Sequence, residues 1–337
     1  MSPQRRLAAE AVDRALEATV VLSFSSLGYR LRRRVFRWPD DQGQLPRRVV
    51  LVTGATSGLG RAVAERLARR GATVIVAGRD APRTRRVRAE LVESSGQTDI
   101  HDVVADLSRL DDVVALADTV RADHDRLDAL VHNAGALVHD FRRTGDGLEL
   151  TVQTHVVAPH LLTRQLLGLL AATPSSRVVT VASGGLYTQR LASLDLEPDG
   201  FDGVRAYALA KRAQVVLAQE WARRTAGCGV TFHAMHPGWV DTPGLAQSLP
   251  RFHQAMGPWL RTPEQGADTI AWLAVDAAAA EPGGGGGHFW LDRHRRWVDR
   301  LPWTVTPPAA ADELWWWVSE QCDRVARGER SSIPVQS

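Results

Sequence analysis

The sequence predicts an α/β fold built on a doubly wound parallel sheet, with helices on both faces of the sheet. Between Arg47 and about Ala274, strand-like segments alternate with helix-like segments, the pattern of parallel strands joined by helical crossovers. The strand-like segments are nearly continuous apolar runs, as expected for strands buried on both faces. A glycine-rich turn joins the first strand to the first helix of this region. We therefore expect a single domain over residues 47–300, with a helical extension before it (1–46) and a tryptophan-rich tail after it (301–337).

The composition fits this fold and excludes several other classes of protein. The chain has 337 residues, of which 44% are hydrophobic and 23% charged, as in globular rather than disordered proteins. A net charge of +3 is too balanced to indicate nucleic-acid binding. Cys228 and Cys322 form no disulfide framework, and the amino terminus does not resemble a secretory signal, so we expect a cytoplasmic location.

The extension over residues 1–46 combines an apolar helical pattern with a basic cluster. Its apolar positions recur at helical spacing up to Leu16, and the run Thr19–Leu27 is too short and interrupted to span a bilayer. The basic cluster consists of Arg30, Arg32, Arg33, Arg34 and Arg37. Two interpretations remain open: a peripheral element at the inner face of a membrane, or a helix packed on the domain with a solvated basic end. Pro39–Gly43 is predicted to be a linker.

The elements of the main domain follow in order. The predicted strands are Val49–Thr53, Thr73–Ala77, Ile100–Val104, Ala129–Asn133, Arg177–Ser183 and Val230–His236. The predicted helices are Arg61–Arg70 (ended by Gly71), Arg109–Asp123, Gly147–Ala172 and Val204–Ala226. Gly283–Gly287 is predicted to be a loop that precedes a short apolar run, His288–Leu291.

The turn after the first strand predicts a binding site for a dinucleotide. Three glycines between a buried strand and a helix let the backbone approach a pyrophosphate, whose charge the amino terminus of the helix stabilises. The residues of this turn that we assign to cofactor binding are Thr53, Gly54, Thr56, Ser57, Gly58, Leu59 and Gly60.

The end of the second strand favours NADP(H) over NAD(H). An NAD site usually has Asp or Glu at the strand tip, which accepts a hydrogen bond from the ribose 2′-hydroxyl. Here the strand ends at Gly78 and Arg79 follows, and a guanidinium suits a 2′-phosphate. The alternative is that Arg79 is a solvated turn residue and Asp80 faces the ribose.

The pair Tyr207 and Lys211 is the predicted catalytic centre. The two residues stand four apart on one face of a helix, and a cation near a phenol lowers the pKa of that phenol toward working pH. Of the 41 lysine and arginine residues, Lys211 is the only lysine, which indicates a site where a bulky guanidinium would not fit. Ser183, at the end of the fifth strand, can hold the substrate oxygen.

These motifs together resemble the short-chain dehydrogenase/reductase superfamily, over roughly residues 47–300. The resemblance is carried by Thr53-Gly54-x-x-x-Gly58-x-Gly60, Asn133-Ala134-Gly135, Ser183, Tyr207-x-x-x-Lys211 and Pro237-Gly238-x-x-x-Thr242. It implies a Rossmann-like domain and nicotinamide-dependent interconversion of a small-molecule carbonyl and alcohol. It also implies further cofactor contacts at Asp106, Leu107, Asn133, Ala134, Gly135, Tyr207, Lys211, Pro237, Gly238, Val240 and Thr242. His233 and His236 lack a third ligand at metal-binding spacing, so we predict no metal site.

His155 departs from the pattern of the superfamily. Members carry an asparagine at this position, where it supports a proton-relay water behind the lysine. Histidine also binds water and can titrate near neutrality, so the relay either survives in altered form or is broken. The first case predicts an enzyme in which His155 contributes to catalysis, and the second a slow enzyme or an idle NADP-binding sensor or scaffold.

An apolar stripe follows Thr242 and suggests the class of substrate. Leu245, Leu249, Phe252, Met256 and Trp259 recur at helical spacing, with Pro250 dividing the stripe into two short helices. If the stripe covers the substrate pocket, as the resemblance implies, the substrate is lipophilic. The alternative is that the stripe is packed core. The sequence leaves the oligomeric state and the direction of the reaction open.

Overall fold

The computed structural model describes residues 3–39, 43–280 and 285–328. Within these residues the strands form one sheet in the order β3-β2-β1-β4-β5-β6-β7-β8, in which the last pair is antiparallel and all others are parallel. The strands are β1 Val49–Thr53, β2 Thr73–Gly78, β3 Ile100–Val104, β4 Ala129–His132, β5 Arg177–Val181, β6 Thr231–Met235, β7 Gly285–Leu291 and β8 His294–Arg296. The doubly wound α/β sheet predicted from the sequence is therefore confirmed.

Helices precede the sheet, cover both of its faces and follow it. They are α1 Pro3–Glu17, α2 Val20–Phe24, α3 Ser26–Phe36, α4 Gly58–Ala68, α5 Ala81–Ser95, α6 Leu110–Asp123, α7 Leu150–Val152, α8 Ala158–Ala172, α9 Gly203–Arg224, α10 Pro243–Ser248, α11 Pro250–Met256, α12 Pro263–Val275 and α13 Pro308–Ala326. Helices α6, α8, α9 and α13 enclose one large core on one face, and α4 and α12 enclose the other. No helix in the described ranges is long and apolar enough to cross a membrane.

Several predicted boundaries differ from the structure for identifiable reasons. The helix predicted from Arg61 begins at Gly58, because the glycine turn is itself the first turn of α4. The predicted helix Gly147–Ala172 is divided by a π-helical turn, Gln153–Val157. β3 is an edge strand with only Ile100 buried, so the expectation that every strand is buried on both faces is wrong there. Gly285–Gly287, predicted as a loop, belongs to β7, whereas Gly283 lies outside the described residues.

The amino-terminal helices are packed on the domain, and the basic cluster is not uniformly exposed. Arg32 is fully buried and forms ion pairs with Asp13, Glu17 and Asp292. For Arg32, both the membrane interpretation and the solvated interpretation are therefore wrong. The other four arginines of the cluster are exposed. In the predicted linker, residues 40–42 lie outside the described ranges.

The tryptophan-rich tail is also part of the domain. Leu314, Val318 and Cys322 on α13 are buried in the core that contains α8 and α9. Trp315 packs edge-on against Trp221 of α9, with ring centroids 4.9 Å apart. Trp316, by contrast, is exposed. The aromatic run alone did not show which tryptophan is packed and which is exposed, because the residues that pack against it lie about a hundred positions earlier in the chain.

Candidate active site

The candidate site lies along the carboxyl edge of the sheet. The motifs singled out in the sequence directly follow β1, β2, β4, β5 and β6, and parallel strands bring these five carboxyl ends to one edge. The order of the strands reverses between β1 and β4, which opens a crevice at that point. Ligands of open α/β sheets bind in such a crevice.

The glycine turn is packed tightly against the loop after β4. Gly54 and Gly58 have left-handed backbone angles, φ +65° and +51°, which disfavour any residue with a side chain. A Cβ atom on Gly54 would lie 2.7 Å from the Cα of Ala134, and one on Gly60 would lie 2.3 Å from the Nδ2 of Asn133. These glycines form a cradle that larger residues would fill.

The side chains of Thr53 and Asn133 connect the glycine turn to the loop after β4. The Thr53 hydroxyl accepts hydrogen bonds from the backbone N–H groups of Asn133 and Ala134, both at 3.1 Å. The Asn133 amide donates to the carbonyls of Thr53 and Gly54. Both residues were predicted to contact a cofactor, and in the structure their side chains support the cradle instead.

The rim of the cradle presents polar groups to the crevice. Thr56, Ser57 and Leu59 are half-buried in the turn, and Ser57 stands at the amino terminus of α4. The Ser57 side chain makes no capping hydrogen bond within the described chain. The first N–H groups of α4 are therefore oriented toward the crevice, as an anion site at a helix terminus requires.

The two residues that follow β2 have different roles: Asp80 caps a helix, and Arg79 is an exposed cation. Asp80 caps α5 by accepting a hydrogen bond from the backbone N–H of Arg83 at 2.8 Å. Arg79 is exposed and makes no ion pair or hydrogen bond to a described residue. Arg83, which the sequence analysis did not single out, donates from Nε to the Thr56 carbonyl of the glycine turn at 3.2 Å. Two guanidinium groups thus lie at this end of the crevice.

Asp106 and Leu107, after β3, hold their own turn. The Asp106 carboxylate accepts hydrogen bonds from the backbone N–H and the hydroxyl of Ser108, at 2.9 and 2.8 Å. Leu107 is 7% exposed and packs in the core. The side chains of both residues are therefore occupied within the described chain.

Ser183, Tyr207 and Lys211 meet where β5 ends beside α9. The Ser183 side chain lies close enough to the Tyr207 phenol to lower its pKa. The Lys211 ammonium lies 5.5 Å from the centre of the Tyr207 ring and donates to the Val181 carbonyl at 2.8 Å. Three of the four residues predicted as catalytic are therefore brought together, and the fourth, His155, packs against Tyr207.

The electrostatics of this cluster differ from the sequence prediction. Burial raises the pKa of Tyr207, and the hydrogen bond from Ser183 lowers it by a smaller amount, so the phenol remains protonated at neutral pH. Burial also lowers the pKa of Lys211 to about 7. The expected lowering of the Tyr207 pKa by Lys211 is wrong for the protein without ligand, because desolvation outweighs the attraction of a lysine that is itself only partly charged.

His155 lies in the π-helical turn that begins α8. Pro159 has no N–H and cannot donate to the carbonyl of His155 four residues earlier, so the regular helix is interrupted. The Gln214 amide, one turn beyond Lys211 on α9, donates to this carbonyl instead at 2.7 Å. Gln214 was missed in the sequence, although Pro159 signals that this carbonyl needs a partner from elsewhere.

The His155 side chain is a neutral spacer between the site and a small cavity. Its ring packs edge-on against Tyr207. Nε2 lies within hydrogen-bond distance of both backbone groups of Ala136: it accepts from the N–H when unprotonated and donates to the carbonyl when protonated. Burial lowers the pKa of His155 to about 3, so the expectation of titration near neutrality is wrong. Behind it lies a cavity of about 20 Å³, lined also by His132, His160 and Gln214. Within the described chain, Nδ1 of each histidine and Oε1 of Gln214 lack partners, and this lining suits an ordered water.

The loop after β6 closes the other side of the site. Gly238 has φ +76°, and a Cβ there would lie 2.5 Å from the Nε of Arg261. Val240 is buried, and Thr242 caps α10 by accepting a hydrogen bond from the N–H of Leu245. The Thr242 methyl group lies beside Gly58 of the glycine turn, so the loop spans the crevice. Arg261, fully buried, was not anticipated from the sequence.

Helices α10 and α11 form a flap (residues 243–256) over this loop. None of the flap residues is fully buried, and Trp259 just beyond them is 43% exposed, so the alternative of packed core is wrong for this stripe. Ser248 ties the flap to the loop after β4 by a hydrogen bond to the Leu137 carbonyl at 2.9 Å. Phe252 packs edge-on against Trp239, with centroids 5.2 Å apart. The flap therefore presents a half-buried apolar surface beside the loops after β4 and β6.

Known proteins of one family resemble this chain. A family model described as short chain dehydrogenase matches residues 48–251. Dehydrogenase/reductase SDR family member 12 of Bos taurus is 39% identical over 293 residues, covering 86% of this chain and 90% of its own. Retinol dehydrogenase 11 of Homo sapiens is 34% identical over 261 residues, covering 76% and 80%. A solved short chain dehydrogenase of Escherichia coli CFT073, complexed with NADPH, superposes with a TM-score of 0.61 at 27% identity, covering 76% of this chain and 100% of its own.

Proposed function

The chain belongs to the short-chain dehydrogenase/reductase family, and from that premise we propose that it is an NADP(H)-dependent oxidoreductase that interconverts a carbonyl and an alcohol. The observation that carries the proposal is the cluster of Ser183, Tyr207 and Lys211 at the crevice formed by the glycine cradle. An idle NADP-binding sensor, the alternative, would need the cradle but not a serine and a tyrosine side by side above a buried lysine.

The cluster supplies the proton that the reaction needs. The nicotinamide would supply or accept the hydride at the substrate carbon. In the reducing direction, the protonated Tyr207 phenol donates its proton to the substrate oxygen, and the Ser183 hydroxyl donates a hydrogen bond that orients the same oxygen. Lys211, buried beneath the tyrosine ring, stabilises the phenolate that remains. In the oxidising direction each proton moves the opposite way.

The cradle and its surroundings fit a dinucleotide. A Cβ at Gly54 or Gly60 would fill the cradle, and the terminus of α4 suits a pyrophosphate. The residues that would hold the cofactor, by backbone or side chain, are Thr53, Gly54, Thr56, Ser57, Gly58, Leu59, Gly60, Arg79, Asp106, Leu107, Asn133, Ala134, Gly135, Tyr207, Lys211, Pro237, Gly238, Val240 and Thr242.

NADP(H) is favoured over NAD(H) by the partners of Arg79 and Asp80. Asp80 is occupied as the cap of α5, whereas the Arg79 guanidinium is exposed and available for a 2′-phosphate. The NADPH that the Escherichia coli neighbour binds supports the same choice.

The flap supports a lipophilic substrate. Its half-buried stripe, from Leu245 to Met256, lies beside the loops after β4 and β6 that border the crevice and offers apolar contacts to a hydrocarbon chain or ring system. The name of the relative retinol dehydrogenase 11 is consistent with this class.

A two-stage assay tests the proposal. Equilibrium titration with NADPH and NADH is followed by turnover measurements on aldehydes and ketones that range from small polar compounds to long-chain and polycyclic ones. We expect tighter binding of NADPH and turnover that increases with the apolar surface of the carbonyl compound. Binding without turnover of any compound would favour the sensor, and turnover of small polar carbonyls alone would refute the lipophilic class.

A further inference from the structure

The backbone of the amino-terminal helices is bonded directly to the loop that closes the candidate site. The Trp239 N–H donates to the Phe24 carbonyl at 3.0 Å, at the end of α2. A Cβ on the neighbouring Gly238 would lie 2.6 Å from the same oxygen. Residues 3–36, called here the amino-terminal brace, therefore contact the Pro237–Gly238 segment of the proposed cofactor site, which the resemblance to the family assigns to the nicotinamide half of the cofactor.

The Phe24 side chain also contacts the loop that carries Ser183. Phe24 is 3% exposed, and a Cβ on Gly184 would lie 2.4 Å from its ring. The same ring packs against His236, with centroids 4.5 Å apart, and against Trp239 at 5.7 Å. One aromatic ring thus lies between the segment after β5 and the segment after β6.

The contact continues from Phe24 to the flap. Trp239 meets Phe24 on one side and Phe252 on the other, edge-on in both cases. Such aromatic pairs have preferred geometries, so a shift of one ring displaces the next. The three rings make a continuous series of edge-on contacts from the brace to the apolar surface proposed to bind substrate.

A buried ionic cluster holds the brace in this position. Asp292, between β7 and β8, accepts hydrogen bonds from Arg261 at 2.5 and 2.8 Å and from Arg32 of the brace at 2.7 Å. Arg261 also donates to the backbone carbonyls of Ser23 and Phe24, and to that of Pro237. The same guanidinium therefore joins the brace and the Pro237–Gly238 loop.

We infer that the brace is a positioning element of the catalytic centre, in which Phe24 sets the Ser183 loop and the Pro237–Trp239 loop relative to each other and, through Trp239, the flap. The inference rests on the proposed function for its effect on turnover. Phe24 packs behind the two loops, against Gly184, His236 and Trp239. Its removal should act first on these loops, because the loop after β6 reaches the glycine turn only farther along the chain, where Thr242 lies beside Gly58.

The test compares Phe24→Leu with the matched control Phe36→Leu. Phe36 lies in the same brace but packs on His294 of β8, away from the site. For each variant, the affinities for NADPH and for adenosine 2′,5′-bisphosphate, which lacks the nicotinamide half, are measured together with kcat, KM and the free energy of unfolding. The milder variant Phe24→Met keeps most of the side-chain volume and serves if Phe24→Leu fails to fold.

We expect Phe24→Leu to lower kcat/KM by roughly ten- to hundredfold, as misplacement of about 1 Å does in other sites. NADPH should bind more weakly, adenosine 2′,5′-bisphosphate should bind as in the wild type, and the control should match the wild type in all five measurements. Equal weakening of both ligands would show a merely structural role and overturn the inference, as would unchanged kcat/KM. If the wild type turns over no carbonyl compound, the proposed function fails, and the comparison of the two ligands still decides the inference.

Discussion

Replacing Lys211 with Met should make the stability of the protein without cofactor less dependent on pH. Lys211 is 4% exposed, and its ammonium has one hydrogen-bond partner among the described residues, the Val181 carbonyl. Burial lowers the pKa of Lys211 from 10.5 to about 7. The buried lysine therefore lowers the free energy of unfolding, and methionine, which has a similar length and no charge, would not.

The sign and size of the effect follow from the two pKa values. Between pH 7 and pH 10 the unfolded chain holds the lysine proton and the folded chain releases it, so the wild type gains stability as the pH rises. The gain approaches about 1.4 kcal/mol per pH unit, or about 2 kcal/mol between pH 7 and pH 9. Below pH 7 the cost is fully present and reaches about 5 kcal/mol, so Lys211→Met should be the more stable protein there.

Denaturant unfolding at pH 6, 7, 8 and 9, followed by fluorescence or circular dichroism, measures this difference. Arg205→Met is the matched control, because Arg205 is an exposed cation on the same helix. The difference in unfolding free energy between wild type and Lys211→Met should shrink steadily above pH 7, and that of the control should stay constant. A constant difference for Lys211→Met, or one that grows with pH, would refute the reasoning.

Three further predictions concern the cofactor, the altered helix and the brace. Arg79→Ala removes a charge-assisted hydrogen bond worth about 1.5–3 kcal/mol, so NADPH affinity should fall about tenfold or more while NADH affinity stays unchanged. Equal weakening of NADPH and NADH, or the same effect from the exposed control Arg85→Ala, would contradict the assignment of Arg79 to the 2′-phosphate. His155→Asn should not change the pH dependence of kcat between pH 5 and 8, because burial lowers the pKa of the imidazole to about 3 and the side chain does not titrate in this range. Arg32→Met removes one cation from a buried cluster in which Asp292 keeps Arg261 and Asp13 keeps Arg296, and it should still cost about 3 kcal/mol in unfolding free energy. A cost no larger than that of the exposed control Arg34→Met would show that Arg32 does not stabilise the fold.

The sequence revealed those parts of the site that have a local pattern. The glycine turn and Ser183 follow β1 and β5, whose carboxyl ends lie at one edge of the sheet, and the Tyr207–Lys211 pair follows a four-residue spacing on α9. The interruption of α8 is also local, since it follows from the missing N–H of Pro159.

The remaining features depend on partners far apart in the chain. Arg32 and Asp292 stand 260 positions apart, and nothing near Arg32 distinguishes it from its exposed neighbours Arg33 and Arg34. The pKa of Tyr207 was predicted in the wrong direction because a four-residue spacing reveals a neighbouring cation but not the burial of both groups.

The account depends most on Tyr207 as the group that transfers the proton. The most direct measurement is the turnover of a carbonyl substrate of the wild type by Tyr207→Phe, followed through the absorbance of NADPH, with NADPH affinity measured on the same samples. The substitution removes one oxygen beside Ser183 and leaves the cradle intact. We predict that turnover is abolished, with a loss of at least about a hundredfold, while NADPH binds as in the wild type. A Tyr207→Phe enzyme that retains wild-type turnover would contradict the account.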